Sequence, residues 1–196
     1  MLRIFIMLVL FTSCTNRKNN YAIAKQVKQV PSNYVDAVNP LFQMHQDTLF
    51  LNNTKFSGIA FQLFPDGDTF FIKPFLNGLE EGVLKKWYPN KQLAEERLCI
   101  SGKKEGTHKG WWENGKRKFE FEVSNDEYIG DFKEWLNTGL LIKHFHYKNG
   151  QEDGSQQLFY ENGKIKANYV ILNGKRYGLL GTKNCKNVSD SIFTVK

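Results

Sequence analysis

Cysteine, proline and long apolar runs are all in short supply, and each shortage excludes something. Three cysteines, Cys14, Cys99 and Cys185, do not make a disulfide framework or a paired-cysteine zinc signature. Five prolines beside 16 glycines and 14% aromatic residues suit a turn-rich β protein. The apolar run from Ile4 to Phe11 is far below the roughly 20 residues that a membrane-spanning helix needs. There is no nucleophile motif and no glycine-rich phosphate loop, and Ser and Asp are scattered without a histidine-centred arrangement. On these grounds no catalytic residue, metal ligand or cofactor is assigned, and the chain is expected not to be an enzyme.

A concentrated charge is also missing. The net charge is +7, yet residues 56 to 181 hold 18 basic and 17 acidic groups. Residues 1 to 55 hold six basic and two acidic groups, and residues 182 to 196 hold three and one. The excess therefore lies in the tails. A nucleic-acid surface concentrates positive charge on the folded face, so no nucleic-acid partner is expected.

What the chain does have is a glycine that returns every 24 residues, at Gly58, Gly82, Gly106, Gly130, Gly154 and Gly178, with no insertion or deletion. Internal periodicity of this kind fixes an architecture before any other feature is read. Five and six positions after each glycine sit two large apolar residues: Leu63-Phe64, Trp87-Tyr88, Trp111-Trp112, Trp135-Leu136 and Phe159-Tyr160. A polar turn follows, as in Glu113-Asn114-Gly115-Lys116, and a second turn comes late in the period at Asn77-Gly78, Asn149-Gly150 and Asn173-Gly174. Asn-Gly between two apolar runs is a strong hairpin signal, because both central residues of a type I′ turn need positive φ. Each period therefore reads as a β-hairpin, and successive hairpins as an antiparallel meander.

The second run of each period alternates. Phe121 and Val123, Phe145 and Tyr147, and Tyr169 and Ile171 share one face, while Glu120 and Glu122, His144 and His146, and Asn168 and Val170 share the other. That is a half-buried antiparallel strand. Cys99 falls in the row of Phe75, Val123, Tyr147 and Ile171, and reads as a small buried hydrophobe. A lone hairpin cannot bury its apolar face, but stacked hairpins can. The fold expected is all-β, an elongated single-layer sheet over residues 47 to 181. A half period at Thr48 to Leu51 would be its starting strand, and Ile192 to Val195 in the C-terminal tail (182–196) a closing one. The repeat glycines are expected between hairpins, where the missing Cβ lets aromatics pack close. Adjacent residues on a strand face opposite ways. One aromatic row can therefore form the core while the other, Phe64, Tyr88, Trp112, Leu136 and Tyr160, lines the second face as a candidate binding surface; alternatively, curling of the sheet buries both.

At the amino terminus, Arg3 precedes the short apolar run, and Thr12 and Ser13 lead into Cys14. This is the layout of a signal peptide, residues 1 to 13. Phe11-Thr12-Ser13-Cys14 resembles a bacterial lipobox, which implies cleavage before Cys14, lipidation of its thiol and a membrane anchor at the cell envelope. Residues 14 to 46, polar and basic, read as a flexible tether.

The repeat unit itself resembles the variant MORN repeat, most clearly at Gly82-VLKKWYPNKQL, Gly106-THKGWWENGK and Gly154-SQQLFYENGK. The resemblance implies a scaffold that binds a protein or lipid partner, and it carries over no catalytic residues. Its antitoxin-like branch implies neutralisation of a cognate toxin. A metal-dependent hydrolase built on His144 and His146, with Glu120 and Glu122 one repeat earlier, is the competing enzyme reading. Strand spacing opposes it, because a strand intervenes and ligands two spacings of ~4.8 Å apart converge poorly on one ion.

Overall fold

The computed structural model describes residues 27–181. Sixteen strands account for most of them. β1 (Tyr34–Asp36), β2 (Phe42–His45), β3 (Thr48–Leu51) and β4 (Thr54–Lys55) precede the array. The five repeats then supply β5 (Gly58–Leu63) and β6 (Thr69–Leu76), β7 (Leu79–Glu80), β8 (Gly82–Trp87) and β9 (Leu93–Ile100), β10 (Lys103–Trp111) and β11 (Arg117–Ser124), β12 (Glu127–Trp135) and β13 (Leu141–Lys148), and β14 (Gln151–Phe159) and β15 (Ile165–Leu172). β16 (Lys175–Leu179) ends the sheet. From β5 onward the order is an antiparallel meander, an open path running to β16. The fold is all-β, as the periodicity requires.

Two expectations at the N-terminal end need correction. Residues 34 to 45 fall inside the expected tether, yet they form β1 and β2. β1 adds to β5 in parallel, which a meander of hairpins does not foresee. Thr48 to Leu51 does not start the main sheet either. It joins β2 and β4 in a separate three-stranded sheet, whose Leu49 packs with Phe56, Ala60 and Phe75. The array is therefore single-layered except at this end, where the small sheet covers it. Signal peptide, Cys14 and Ile192 to Val195 lie outside the described residues.

Both turns of each period are uniform. The late turns have two successive residues at positive φ, such as Asn77 and Gly78 at 52° and 83° and Asn149 and Gly150 at 50° and 74°, the type I′ geometry expected. Ser101-Gly102 and Asn125-Asp126 adopt it too, although neither reads Asn-Gly. The early turns differ from that expectation. In Glu113-Asn114-Gly115, only Gly115 has positive φ, at 79°. Trp112 donates to Lys116 O and Gly115 to Trp112 O, both at 2.8 Å, a type I turn followed by a bulge residue. All five early turns make this pair of bonds, including the one where Lys91 replaces glycine at φ 66°.

At Gly58, where β5 begins, a Cβ would meet the Phe56 ring at 2.8 Å, as expected, but in the later repeats the glycine has a different job. It lies inside a strand there, not between hairpins. Gly106, Gly130 and Gly154 have φ of 72°, 63° and 70°, and each sits where pairing with the preceding strand slips. Phe121 pairs with Phe132 and Glu122 with Ile129, so Gly130 and Asp131 are extra on that side. Gly130 still pairs normally with Tyr147 on the following strand. A Cβ there would meet the Glu122 carboxylate at 3.1 Å, not an aromatic ring. Positive φ at a bulge, which bends the long strand, is therefore what demands glycine.

Cross-strand partners share a face. Gly106, His108 and Gly110 oppose Val123, Phe121 and Phe119, which defines a core face. Its centre is a cluster of Phe121, Val123, Phe132 and Phe145, with Phe121 and Phe132 stacked at 5.2 Å. The alternation read for these rows is correct: Phe75, Cys99, Val123, Phe145, Tyr169 and Ile171 are all buried. The opposite face is ionic, with Lys85 to Glu96 at 3.2 Å and Asp131 bridging Lys133 at 2.9 Å and His144 at 3.2 Å.

Candidate binding face

Bonds between repeats explain why the period tolerates no change in length. On the early-turn edge, Asn90 Nδ2 donates to Glu113 O at 3.0 Å and Asn114 Nδ2 to Asn137 O at 2.8 Å. Each asparagine thus reaches the turn one repeat further on, while its Oδ1 caps its own turn by accepting from Gln92 N or Lys116 N. On the late-turn edge, Gly78, Gly102, Asp126 and Gly150 donate backward to Phe56 O, Glu80 O, Lys104 O and Tyr128 O. Side chains just before the repeat glycine add a second set: Ser57, Glu81 and Glu105 accept from Asn77 N, Ser101 N and Asn125 N.

The expected binding row belongs partly to this framework. Tyr88 Oη donates to Trp111 O at 3.1 Å and Trp112 Nε1 to Trp135 O at 2.9 Å. Phe64 packs on Phe70 at 4.9 Å. Leu136 and Tyr160 instead line a cleft of about 620 Å³ between the last two repeats, with Ile142, Lys143 and Leu158. The other row, Leu63, Trp87, Trp111, Trp135 and Phe159, is not the buried centre: Leu63 is exposed and the rest are half-buried. Neither row is the core, which comes from the second runs and from residues two places after the glycine.

Two of those residues are polar and fully buried, and the sequence pattern did not single them out. His108 Nε2 donates to Leu98 O at 3.0 Å, and Gln156 Nε2 donates to His146 O at 2.8 Å. Both acceptors lie beside a glycine bulge: Leu98 is in the last pair before the register shifts, and His146 sits at the shift itself. Burial pushes the His108 imidazole below its ordinary value, against the opposing pull of its bond to Leu98. It is therefore a neutral plug in the core.

The histidine pair does not assemble a metal site. His144 meets Asp131, whereas His146 Nδ1 lies 3.0 Å from Asp153 O. Among the described residues no group of three potential ligands converges. Burial, then the Glu80 carboxylate, pushes the Cys99 thiol up to about 12, and its Sγ lies 3.3 Å from Glu80 Oε2. A thiol held protonated in this way is a poor nucleophile.

Residues 80–98, 104–125 and 152–169 match the family model of the MORN repeat variant. These three segments of the chain thus resemble variant MORN repeats. The three matched segments contain Gly82, Gly106 and Gly154, the copies in which the resemblance is clearest in the sequence. The repeats at Gly58 and Gly130, outside the matched segments, keep the same turn bonds with Asp66-Gly67 and Thr138-Gly139 in place of Asn-Gly. No curated protein matches the chain. The core face of the array opens into clefts at both ends of its aromatic centre.

Proposed function

We propose that the protein is a non-enzymatic scaffold of a bacterial cell envelope, exported, held at a membrane through lipid on Cys14, and binding another protein through the core face of its sheet. The observation that supports this most is the cleft of about 620 Å³ at Leu136 and Tyr160. Tyr160 is exposed beside it, and an amphipathic aromatic at a recess lined by both apolar and charged side chains is what protein interfaces favour. The near-neutral charge of the array favours a protein over a nucleic acid.

A photo-crosslinking side chain at Tyr160 tests the surface. It is expected to give a discrete adduct in cells that the same group at Lys133, on the ionic face, does not give. Equal labelling from both positions overturns the reading. The anchor is tested by membrane fractionation: wild type should sediment with membranes and Cys14→Ala should not, and equal solubility of the two removes it. Neutralisation of a toxin is one form such binding takes, supported by the resemblance to the antitoxin-like branch. Failure of co-expression to restore growth against a candidate toxin removes that pairing.

A further inference from the structure

The repeat pattern breaks at one row of the core face, and a cleft opens there. Fifteen places after the glycine, the last three repeats carry Phe121, Phe145 and Tyr169, all buried. The first two carry Lys73 and Arg97. Long cations in place of rings leave a recess of about 390 Å³ over β6, β8 and β9, floored by Phe70, Phe71 and Leu84. A departure from a repeat's own rule costs packing and marks a place selected for something else.

The charges at this cleft are unbalanced. Lys73 pairs with Glu80 at 3.7 Å and Arg97 with Glu95 at 3.0 Å. Lys86 and Lys104 also line it, and neither has a carboxylate oxygen within 4.0 Å among the described residues. Lys86 Nζ stands 4.9 Å over the Phe70 ring, so one cation is held against the apolar floor. Two cations beside an aromatic floor suit a ligand that alternates carboxylates with apolar side chains.

We propose that this cleft is a docking site for an acidic, extended segment of a partner protein, with its carboxylates at Lys86 and Lys104 and an apolar side chain on Phe70, Phe71 and Leu84. The proposal rests on the scaffold reading and names the partner's chemistry at a second place on the same face. The charge surplus is local, because the array as a whole is nearly neutral, so it gives the cleft a selectivity the rest of the sheet lacks.

The test uses the full chain in detergent and a fluorescein-labelled Phe-Asp-Leu-Glu-Phe-Asp peptide, followed by anisotropy at low salt. The same peptide with Asn and Gln for its acids should bind at least tenfold more weakly. The Lys86→Glu/Lys104→Glu protein should lose at least tenfold in affinity for the acidic peptide while its melting curve is unchanged. If charge reversal perturbs folding, Lys86→Gln/Lys104→Gln serves instead, with a smaller loss expected in the same direction. Equal affinity for acidic and amide peptides, undiminished binding by the neutral variant, or no binding of either peptide overturns the proposal. The crosslink from Tyr160 separates the two readings: its persistence with a silent cleft leaves the scaffold standing, and its absence removes the scaffold itself.

Discussion

Replacing His108 separates hydrogen bonding from charge inside the array. The imidazole is fully buried, 5.3 Å from the Phe121 ring, and donates to Leu98 O beside the bulge at Gly106. His108→Leu fills similar space without a donor. Losing that bond costs about 0.5–1.5 kcal/mol, partly offset by burying more hydrocarbon, so a net loss of up to about 1 kcal/mol is expected. His108→Gln places here the residue that does the same job at Gln156, and should hold stability near wild type at pH 7.5. The pH dependence adds a second readout. The folded-state value of His108 is depressed, so the native state binds fewer protons than the unfolded chain below the ordinary value of 6.5. Stability from this group is fully present above that value and is lost as pH falls through it toward the folded value. The slope approaches 1.4 kcal/mol per pH unit for one proton. Urea melts at pH 7.5 and 5.5 should show wild type losing more stability on acidification than His108→Gln, the difference cancelling the other titrating groups. An identical acid loss in the two proteins, or a His108→Leu protein as stable as wild type, refutes the account.

Other changes test the turns, the bulges and the contact between Glu81 and Lys28. Gly130→Val puts a β-branched residue at φ 63° and should cost about 2 kcal/mol or more in denaturant melts, whereas His144→Ala should cost no more than about 1 kcal/mol; equal losses would sink the bulge argument. Lys91→Gly relieves a left-handed lysine and should gain about 0.5–1 kcal/mol, since the exposed Lys91–Asp68 pair it removes contributes little. Asn114→Ala removes a turn cap and a rung to the next repeat and should cost about 1–2 kcal/mol. Asn162→Ala, where only the cap bond to Lys164 N is present among the described residues, should cost about half of that, so equal costs would deny the rung. Glu81→Ala removes a buried carboxylate that accepts from Lys28 N and Ser101 N, and limited proteolysis should then cut near Lys28 faster than in wild type.

The array was legible because its glycines, aromatic pairs and alternating second runs obey fixed spacing, which one chain displays to itself several times. The N-terminal end was not, because β1 to β4 occur once and have no second copy to betray them. The early turn was misread for a physical reason: Asn-Gly suits both a type I′ turn and the last two places of a type I turn with a bulge, and only the paired bonds from Trp112 and Gly115 separate them. Polar His108 and Gln156 escaped notice because hydrophobic patterning marks such residues as exposed, whereas beside these two bulges each is buried and donates to a carbonyl of the neighbouring strand. The members of the expected binding row are placed differently along the array. Tyr88 and Trp112 spend their donors on the next repeat, and only toward the C-terminal end do Leu136 and Tyr160 line open space.

The two sets of rungs together account for the unbroken period. An early-turn asparagine reaches forward to a carbonyl in the following turn, and a late-turn amide reaches back to a carbonyl of the preceding period. Inserting one residue in a strand would turn its side chains to the other face and also misplace a donor at one edge. Either error alone could be absorbed in a loop, but a hairpin locked at both ends has no loop in which to absorb it. The same locking leaves the side chains of the core face free to vary, since register no longer depends on them. Lys73 and Arg97 can then stand where aromatics stand elsewhere, and the array keeps its spacing while one stretch of its face becomes charged and open.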